Sequence, residues 1–275
     1  MNDAVKIMGV VNVTPDSFSD GGAFAAPDRA VAHALQLHAD GAAIVDIGGE
    51  STRPGADFVE AETELRRVVP VIEELSRRSP VEISIDTRKP EVAAAAVAAG
   101  ASIWNDVSAL TFSPDSLAVA SRLRCRVVLM HARGEPRTMQ DAPVYDDVVD
   151  EVLAYLAGRI GACVSAGIDE QRLIVDPGIG FGKTLAHNLQ LLAGLERFCA
   201  LGAPVLLGVS RKRFIAALDR DGPAHERLGG SIAAALAGVR RGAAIVRVHD
   251  VGATRQALKI DAAIGDAPQQ AGLPG

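Results

Sequence analysis

The regular alternation of short apolar runs with longer helical stretches most constrains how this chain can fold. Eight runs rich in valine, isoleucine and leucine predict strands at 5–12, 42–47, 81–85, 101–105, 126–130, 172–176, 204–209 and 243–248. Runs that stay apolar along their length are typical of strands buried on both faces, as in parallel sheets. Helices are predicted between them, at 27–39, 60–78, 90–99, 145–166, 187–200, 211–219, 225–241 and 253–264.

A weak internal repeat indicates that these strands and helices belong to one repeated unit. The segments DGAAIVDI, AGASIWND and RGAAIVRV each carry a glycine that closes a helix, a small residue that opens a strand and a polar residue that ends it. Eight such units favour a single α/β domain, a (β/α)8 TIM barrel, over an open doubly wound sheet. We expect this domain to span 1–265 and to be followed by a frayed tail over 266–275.

Composition excludes several classes of protein. The net charge is −6 and 48% of the residues are hydrophobic, so the chain is not of the disordered class. Only 4% of the residues are aromatic and no basic stripe is visible, so we expect no nucleic-acid partner. We also expect no membrane partner and no signal peptide, because the apolar runs are short and the first residues lack the required pattern. The three cysteines are far apart, which favours reduced thiols and a cytoplasmic location.

Polar side chains follow each of the eight predicted strands. They are Asn12, Asp46, Asp86, Asn105 with Asp106, His131, Asp176, Ser210 with Arg211 and Lys212, and Arg247 with His249. The active site of a (β/α)8 barrel lies at the C-terminal ends of its strands, so we expect these side chains to surround one ligand site. Asp46 would either face this site or hold a neighbouring loop by hydrogen bonds.

The residue types at these strand ends suggest which ligands they bind. One group offers the donors and acceptors that read the edge of a flat heterocycle: Asp86, Asn105, Asp176 and Lys212. A second group offers cationic donors suited to phosphate oxygens: Arg53, Arg247 and His249. Asn12 is a neutral oxygen donor and a candidate ligand for Mg²⁺. The turn-rich segments 13–22 and 48–56 are predicted to be lids over the site.

The motifs along the chain also resemble those of a known family. From about residue 6 to 264 they read MGVVNVTPDSFSDGG, DIGGESTRPGA, ISIDTRKPEVA, NDVSA, LMHARGEPRTMQ, DPGIGFGKT, GVSRKRF and VRVHDV. In this order they resemble the dihydropteroate synthases of folate biosynthesis. The first, second and seventh motifs together are highly specific, and members of that family are (β/α)8 barrels.

The resemblance implies a reaction, a cofactor and a set of site residues. Members join 6-hydroxymethyl-7,8-dihydropterin diphosphate to 4-aminobenzoate and release pyrophosphate and 7,8-dihydropteroate, using Mg²⁺. The implied pterin pocket is lined by Asp86, Asn105, Asp176 and Lys212, with Asp86, Asp176 and Lys212 as catalytic residues. The implied diphosphate ligands are Arg53, Arg247 and His249, and the implied magnesium ligand is Asn12. The implied aminobenzoate site is bordered by Thr52, Pro54, Phe181, Ser210 and Arg211.

The resemblance also implies partners and a course for the reaction. Sulfonamides, which imitate 4-aminobenzoate, would inhibit the enzyme, and late helices such as the apolar stretch 233–242 would form a homodimer. If the C–O bond breaks first, Asp86 and Asp176 would favour the resulting pterin cation, while the lids exclude water and no covalent nucleophile is needed. Three alternatives stay open: a pterin-binding methyltransferase, a non-catalytic pterin-binding paralogue, and an unrelated barrel acting on phosphorylated sugars.

Overall fold

The chain folds into a closed barrel of eight parallel strands. The computed structural model describes residues 5–14, 22–51, 56–134 and 143–267. The strands follow one another around the barrel in chain order, and β8 closes it by pairing with β1. Their bounds are β1 Lys6–Asn12, β2 Ile44–Gly48, β3 Glu82–Asp86, β4 Ile103–Asp106, β5 Arg126–Met130, β6 Leu173–Asp176, β7 Val205–Gly208 and β8 Ala243–Val248.

Helices cover the outside of the barrel and separate the strands along the chain. Within the described ranges they are α1 Gly22–Ala39, α2 Ala61–Arg78, α3 Pro90–Ala99, α4 Ser116–Arg122, α5 Val148–Ser165, α6 Leu185–Ala193, α7 Glu196–Cys199, α8 Arg213–Leu218, α9 Leu228–Val239 and α10 Val251–Gly265. Short 3-10 helices occupy Glu170–Arg172 and Ala224–Arg227. None of the helices in these ranges is long and apolar enough to cross a membrane.

The structure confirms the predicted (β/α)8 barrel and all eight predicted strands, and it corrects some of the helices. The stretch 187–200 forms two helices, α6 and α7, because Gly194 ends the first one. The stretch 225–241 begins with a 3-10 helix before α9. Helix α4 was not predicted: it has seven residues and buries only Ser116 and Ala120, too few apolar positions to give a clear period.

Two separate layers of apolar side chains hold the barrel together. The smaller layer fills the barrel interior and consists of Met8, Ile44, Ile103, Val128, Ile174, Leu206 and Ile245. The larger layer lies between the strands and the helices and includes Val45, Ile85, Val127, Leu207 and Val246. Neighbouring strand residues therefore face opposite sides, as the pleat requires. Every second residue of a strand points into the barrel, and this alternation decides which side chains reach the mouth.

Candidate active site

The polar residues at the barrel mouth stand one pleat above the interior apolar layer. Two residues after Ile44, Ile103, Ile174 and Ile245 come Asp46, Asn105, Asp176 and Arg247. Asp86 takes the equivalent position on β3, two residues after the buried Ser84. Since side chains two residues apart on a strand share a face, the strand geometry brings these groups together at the C-terminal end of the barrel.

Arg247 joins two carboxylates in the centre of this mouth. Its Nε donates to Asp46 Oδ2 at 2.6 Å and its Nη2 donates to Asp86 Oδ2 at 2.7 Å. Asn105 Nδ2 donates to the same Asp46 oxygen at 3.0 Å. The four side chains form one hydrogen-bonded cluster, which we call the mouth cluster: Asp46, Asp86, Asn105 and Arg247.

Two carboxylate oxygens of the mouth cluster remain available to accept hydrogen bonds from a ligand. Asp46 Oδ1 and Asp86 Oδ1 are buried, and neither has a hydrogen-bond partner within the described part of the chain. Burial raises the pKa of Asp86 to about 7, although Arg247 opposes this. Burial disfavours the charge of Arg247, but Asp46 and Asp86 outweigh it and hold the guanidinium pKa above its usual value. Two inward acceptors without partners are suited to a ligand that presents N–H donors.

Asp176 and Lys212 lie beside the cluster, and each influences the charge of the other. Burial raises the pKa of Asp176 and Lys212 opposes the shift, while Asp176 Oδ1 accepts a hydrogen bond from the Gly178 amide at 2.7 Å. Burial lowers the pKa of Lys212 to about 8, with Asp176 opposing. Lys212 Nζ lies 4.8 Å from the centre of the Phe181 ring and donates to the Ile179 carbonyl. The ammonium group thus lies close to the aromatic ring of Phe181.

The loop after β6 depends on glycine to carry Phe181 to this position. Gly178 has φ +69°, and a Cβ there would lie 1.8 Å from the His131 carbonyl oxygen. The buried Lys183 fastens the same loop by donating to the carbonyls of His131 and Phe181, and its Nζ lies 2.9 Å from His131 Nδ1. Burial lowers the pKa of Lys183 to about 7 and that of His131 to about 3, and the nearby Lys183 charge adds to the second shift. His131 is therefore neutral at pH 7 and its ring supports the loop.

Two pairs of residues connect the turns that follow β7 and β8. Ser210 Oγ accepts a hydrogen bond from the His249 amide at 3.2 Å and lies 3.0 Å from His249 Nδ1. Arg211 donates to both carboxylate oxygens of Asp250, at 3.0 and 2.6 Å. The Arg211 guanidinium is directed towards Asp250, so its predicted role at the aminobenzoate site rests on its position in the turn.

Asn12 is the predicted ligand for Mg²⁺ and belongs to the described residues. It ends β1 and is half-buried. Within the same ranges no group of three His, Cys, Asp or Glu side chains is placed to hold a metal ion. One neutral oxygen suits a Mg²⁺ that is held mainly by substrate phosphates and water, and does not suit an ion enclosed by protein ligands.

The structure brings most, but not all, of the predicted site residues into view. It places Asp86, Asn105, Asp176, Lys212, Arg247, His249, Phe181, Ser210, Arg211 and Asn12 on the mouth side of the barrel, at or just after strand ends. Thr52, Arg53 and Pro54 lie outside the described residues, as do 15–21 and 52–55 of the predicted lids. Asp46 was predicted either to face the site or to hold a neighbouring loop by hydrogen bonds. The structure places it in the mouth cluster, where its Oδ2 accepts hydrogen bonds from Asn105 and Arg247.

Comparison with known proteins shows the family of this chain. The profile of the pterin binding enzyme family matches residues 8–249. The dihydropteroate synthase of Haemophilus influenzae is 49% identical over 255 residues, covering 93% of this chain and 92% of the relative.

Solved structures agree as well. The dihydropteroate synthase of Xanthomonas albilineans in complex with 7,8-dihydropteroate is 51% identical, with a TM-score of 0.88 over 97% of this chain and 95% of that one. The Yersinia pestis enzyme, solved with a sulfonamide drug, is 44% identical, with a TM-score of 0.90 over 96% and 95% of the two chains. The chain therefore belongs to the pterin-binding enzymes and, within them, to the dihydropteroate synthase family.

Proposed function

We propose that this chain is a transferase that catalyses the reaction of its family. It joins 6-hydroxymethyl-7,8-dihydropterin diphosphate to 4-aminobenzoate and releases 7,8-dihydropteroate and pyrophosphate. The observation that carries this proposal is the mouth cluster, in which Asp46 and Asp86 each keep one buried oxygen without a partner in the described ranges. A pterin is a flat heterocycle with several N–H donors on one edge, which is the complement of such acceptors.

The pterin pocket is formed by Asp86, Asn105, Asp176 and Lys212. The two carboxylates accept hydrogen bonds from ring and exocyclic N–H groups, while Asn105 and Lys212 donate to ring nitrogen and oxygen atoms. Asp46 orients Asn105 and Arg247 through Oδ2, which both of them contact, and its Oδ1 stays available as an acceptor for the pterin. Asp86, Asp176 and Lys212 are the catalytic residues.

The diphosphate lies against Arg53, Arg247 and His249. Arg247 already bridges two carboxylates, so it links the pterin carboxylate Asp86 to the leaving group. Asn12 would hold Mg²⁺ together with substrate and water oxygens, and the bound ion would neutralise charge on the leaving pyrophosphate. Arginine and histidine donors act in the same direction, since they stabilise charge that develops on the departing oxygen.

4-Aminobenzoate lies at the side of the mouth where Phe181, Ser210 and Arg211 are placed, and the resemblance to the family assigns Thr52 and Pro54 to the same substrate. Phe181 supplies an apolar wall for the ring, and the turn after β7 supplies polar groups for the carboxylate. Sulfonamides imitate this substrate in shape, so we expect them to compete with 4-aminobenzoate for the same place.

The carbon–nitrogen bond forms after the carbon–oxygen bond has broken. Departure of pyrophosphate leaves a positive charge on the pterin, and the buried carboxylates Asp86 and Asp176 favour that charge in a medium of low dielectric constant. The amine of 4-aminobenzoate then attacks the CH₂ group and loses a proton. The predicted lids exclude water, which would otherwise compete with the amine.

Two further properties belong to the proposal. The chain forms a homodimer through an apolar groove of about 610 Å³ between α6, α8 and α9, which is lined by residues such as Leu189, Phe214 and Ala233. The location is cytoplasmic, in keeping with three free cysteines of which Cys125 and Cys163 are buried.

The decisive test is pyrophosphate release from the dihydropterin diphosphate and Mg²⁺, with and without 4-aminobenzoate. Release that depends on the arylamine, together with dihydropteroate formation, is expected. Lys212→Ala should reduce kcat/KM by about 10- to 100-fold because a charge-assisted contact is lost. Lys259→Ala, at an exposed position on α10, is the control. Saturable pterin binding without any release would instead identify a non-catalytic paralogue or a methyltransferase.

A further inference from the structure

Arg211 has an unusual backbone conformation directly beside the predicted catalytic lysine. Its φ is +61°, and only Ala109 and Leu110 share a positive φ among the described residues other than glycine. Residues with a Cβ adopt this left-handed region at a cost in free energy, and they persist there only when the surroundings hold them. The residue lies between Ser210 and Lys212, both of which belong to the proposed site.

Four hydrogen bonds hold Arg211 in this conformation. Its amide donates to Ser231 Oγ at 2.8 Å and its carbonyl accepts from Arg227 Nη1 at 3.0 Å. Its guanidinium makes the two-pronged contact with Asp250 described above. The main-chain contacts come from α9 and the residue before it, whereas the side-chain contact comes from the turn after β8. Both polar main-chain atoms and the side chain are thus engaged.

The side-chain contacts extend the pairing of β7 with β8 beyond the last backbone pair. That last pair is Gly208 with Arg247. Ser210 with His249 and Arg211 with Asp250 keep the same separation of 39 residues along the chain. The two turns are therefore joined in register by side chains after the backbone ladder has ended.

This connection lies between the two halves of the proposed site. The turn after β7 carries Ser210 and Lys212, on the aminobenzoate and pterin side, and the turn after β8 follows Arg247 and carries His249, on the diphosphate side. A change in the backbone angles of Arg211 would redirect both of its neighbours at once. A loss of the Asp250 contact would also separate the turn from His249.

We propose that Asp250 is a positioning residue that acts through Arg211: the pair holds the left-handed turn after β7, and so keeps Ser210 and Lys212 in register with Arg247 and His249. The role of these four side chains in catalysis rests on the proposed function. The role of Asp250 is new and does not require contact with substrate.

The first test compares two nearly isosteric substitutions. Asp250→Asn removes the charge that pairs with Arg211, and asparagine can still occupy the start of α10. Asp261→Asn makes the same change in a second two-pronged pair, with Arg240, which lies before β8 at the other end of the barrel. We expect Asp250→Asn to lower kcat at least about tenfold and to raise the KM for 4-aminobenzoate, with an unchanged Tm. Asp261→Asn should leave both kinetic constants unchanged. Equal kinetics in the two variants would overturn the proposal.

A second substitution separates the backbone strain from the link between the turns. Arg211→Gly removes the Asp250 contact, but glycine adopts a positive φ without steric cost. We therefore expect a folded variant with impaired kcat, and Arg211→Lys should recover only part of the activity because it lacks the two-pronged geometry. Wild-type kinetics in Arg211→Gly would show that the link has no positioning role.

Hydrogen–deuterium exchange provides a readout that does not depend on activity. Asp250→Asn should speed exchange across 209–214 and 248–250, while Asp261→Asn should not. Should wild-type protein release no pyrophosphate, the proposed function fails, and this exchange experiment still tests the link. Identical exchange in wild type and Asp250→Asn would refute the link under either circumstance.

Discussion

Four ionisable side chains at the barrel mouth owe their properties to burial. Water cannot stabilise the charge of Asp86, Asp176 or Lys212 as it does in solution, so the pKa values of the carboxyls rise and that of the ammonium falls. Arg247 keeps its charge because it contacts two carboxylates. Asp86 and Lys212, on which the proposed chemistry depends, therefore change charge within about one pH unit of neutrality.

Asp86 should make pterin binding depend on pH. Its carboxyl has a pKa raised to about 7, so lowering the pH below 7 protonates it and removes an acceptor. We expect the Kd of a pterin that lacks the diphosphate to rise as pH falls from 7 to 5.5, measured by calorimetry. Asp86→Asn should weaken binding by about 10- to 100-fold and abolish this pH dependence.

Asp115→Asn is the matched control for this measurement. Asp115 is exposed, directly precedes α4 and makes no side-chain cap, so its variant should keep both the affinity and the pH dependence of the wild type. A full pH dependence in Asp86→Asn would assign the titrating group elsewhere.

The loop after β6 requires a glycine at position 178. The loop after β6 passes so close to the His131 carbonyl that no side chain fits at position 178.

Outside the barrel, the fully buried Lys89 of the turn before α3 contacts Glu50 at 2.8 Å and Glu64 at 2.6 Å. Glu50 in turn accepts from the Val59 amide at 3.0 Å. The ends of the segment between β2 and α2 are thereby tied to α2 and to the start of α3.

Gly178→Ala should be strongly destabilising. The added Cβ would lie 1.8 Å from a backbone oxygen, at a φ of +69° that alanine rarely adopts, so we expect a loss of more than about 2 kcal/mol in urea unfolding. Gly158→Ala is the control: nothing lies within 4 Å of its Cβ position in α5. That variant should gain up to about 1 kcal/mol. Similar midpoints for the two variants would contradict this account of the loop.

Lys89→Met should lower the free energy of unfolding, because it removes the ammonium group that contacts two buried carboxylates. With the ammonium removed, Glu64 loses its cation and Glu50 keeps only the longer contact with Arg88, at 3.5 Å. We expect a loss of about 3–5 kcal/mol. Burial already raises the pKa of Glu64, and without Lys89 this pKa rises further. As the pH rises, the buried carboxyl of the variant is forced into its charged form, which costs free energy of folding. The deficit relative to wild type should therefore shrink from pH 8 to pH 5.5, as measured by denaturant titration.

The exposed pair of Arg66 and Glu62 gives the comparison. Arg66→Met removes an ion pair between two exposed side chains on α2, and should leave stability and its pH dependence unchanged. An equal effect of the two substitutions would mean that burial of the Lys89 network contributes nothing.

At the scale of the whole molecule, the described part of the chain presents an apolar groove that the fold itself does not cover. The groove between α6, α8 and α9 is bordered by Leu189 and Leu218, which are 39% and 58% exposed. Large exposed apolar side chains that lie together are typical of association surfaces.

Leu218→Asp should therefore disrupt the proposed homodimer. A carboxylate in the groove would have to lose water on association, so light scattering coupled to gel filtration should show a monomer. Ile264→Asp, at a 70% exposed position on α10 outside the groove, should leave the wild-type mass unchanged. A monomeric wild type, or a dimer that survives Leu218→Asp, would reject the groove as the interface.

Much of the barrel can be read from local patterns. All eight strands were predicted because each is a short apolar run bounded by glycine or polar residues. A strand that is buried on both faces shows such a run whichever strands it pairs with. Helix α4 and the break between α6 and α7 were not predicted, because segments this short contain too few periodic positions. The polar strand ends were visible for the same reason as the strands: their position follows from where each run stops.

The sequence alone therefore determined the repeated βα units, the barrel and the set of residues at its mouth. Only the tertiary structure decided their partners. Arg247 lies 201 residues from Asp46 and 161 from Asp86 along the chain, and closure of β8 against β1 brings them within hydrogen-bonding distance. The closed barrel also sets burial, and hence the direction of each pKa shift, while the pairing of β7 with β8 directs Arg211 to Asp250. A local pattern reports backbone preference and burial, whereas contacts between distant residues exist only once the barrel is closed.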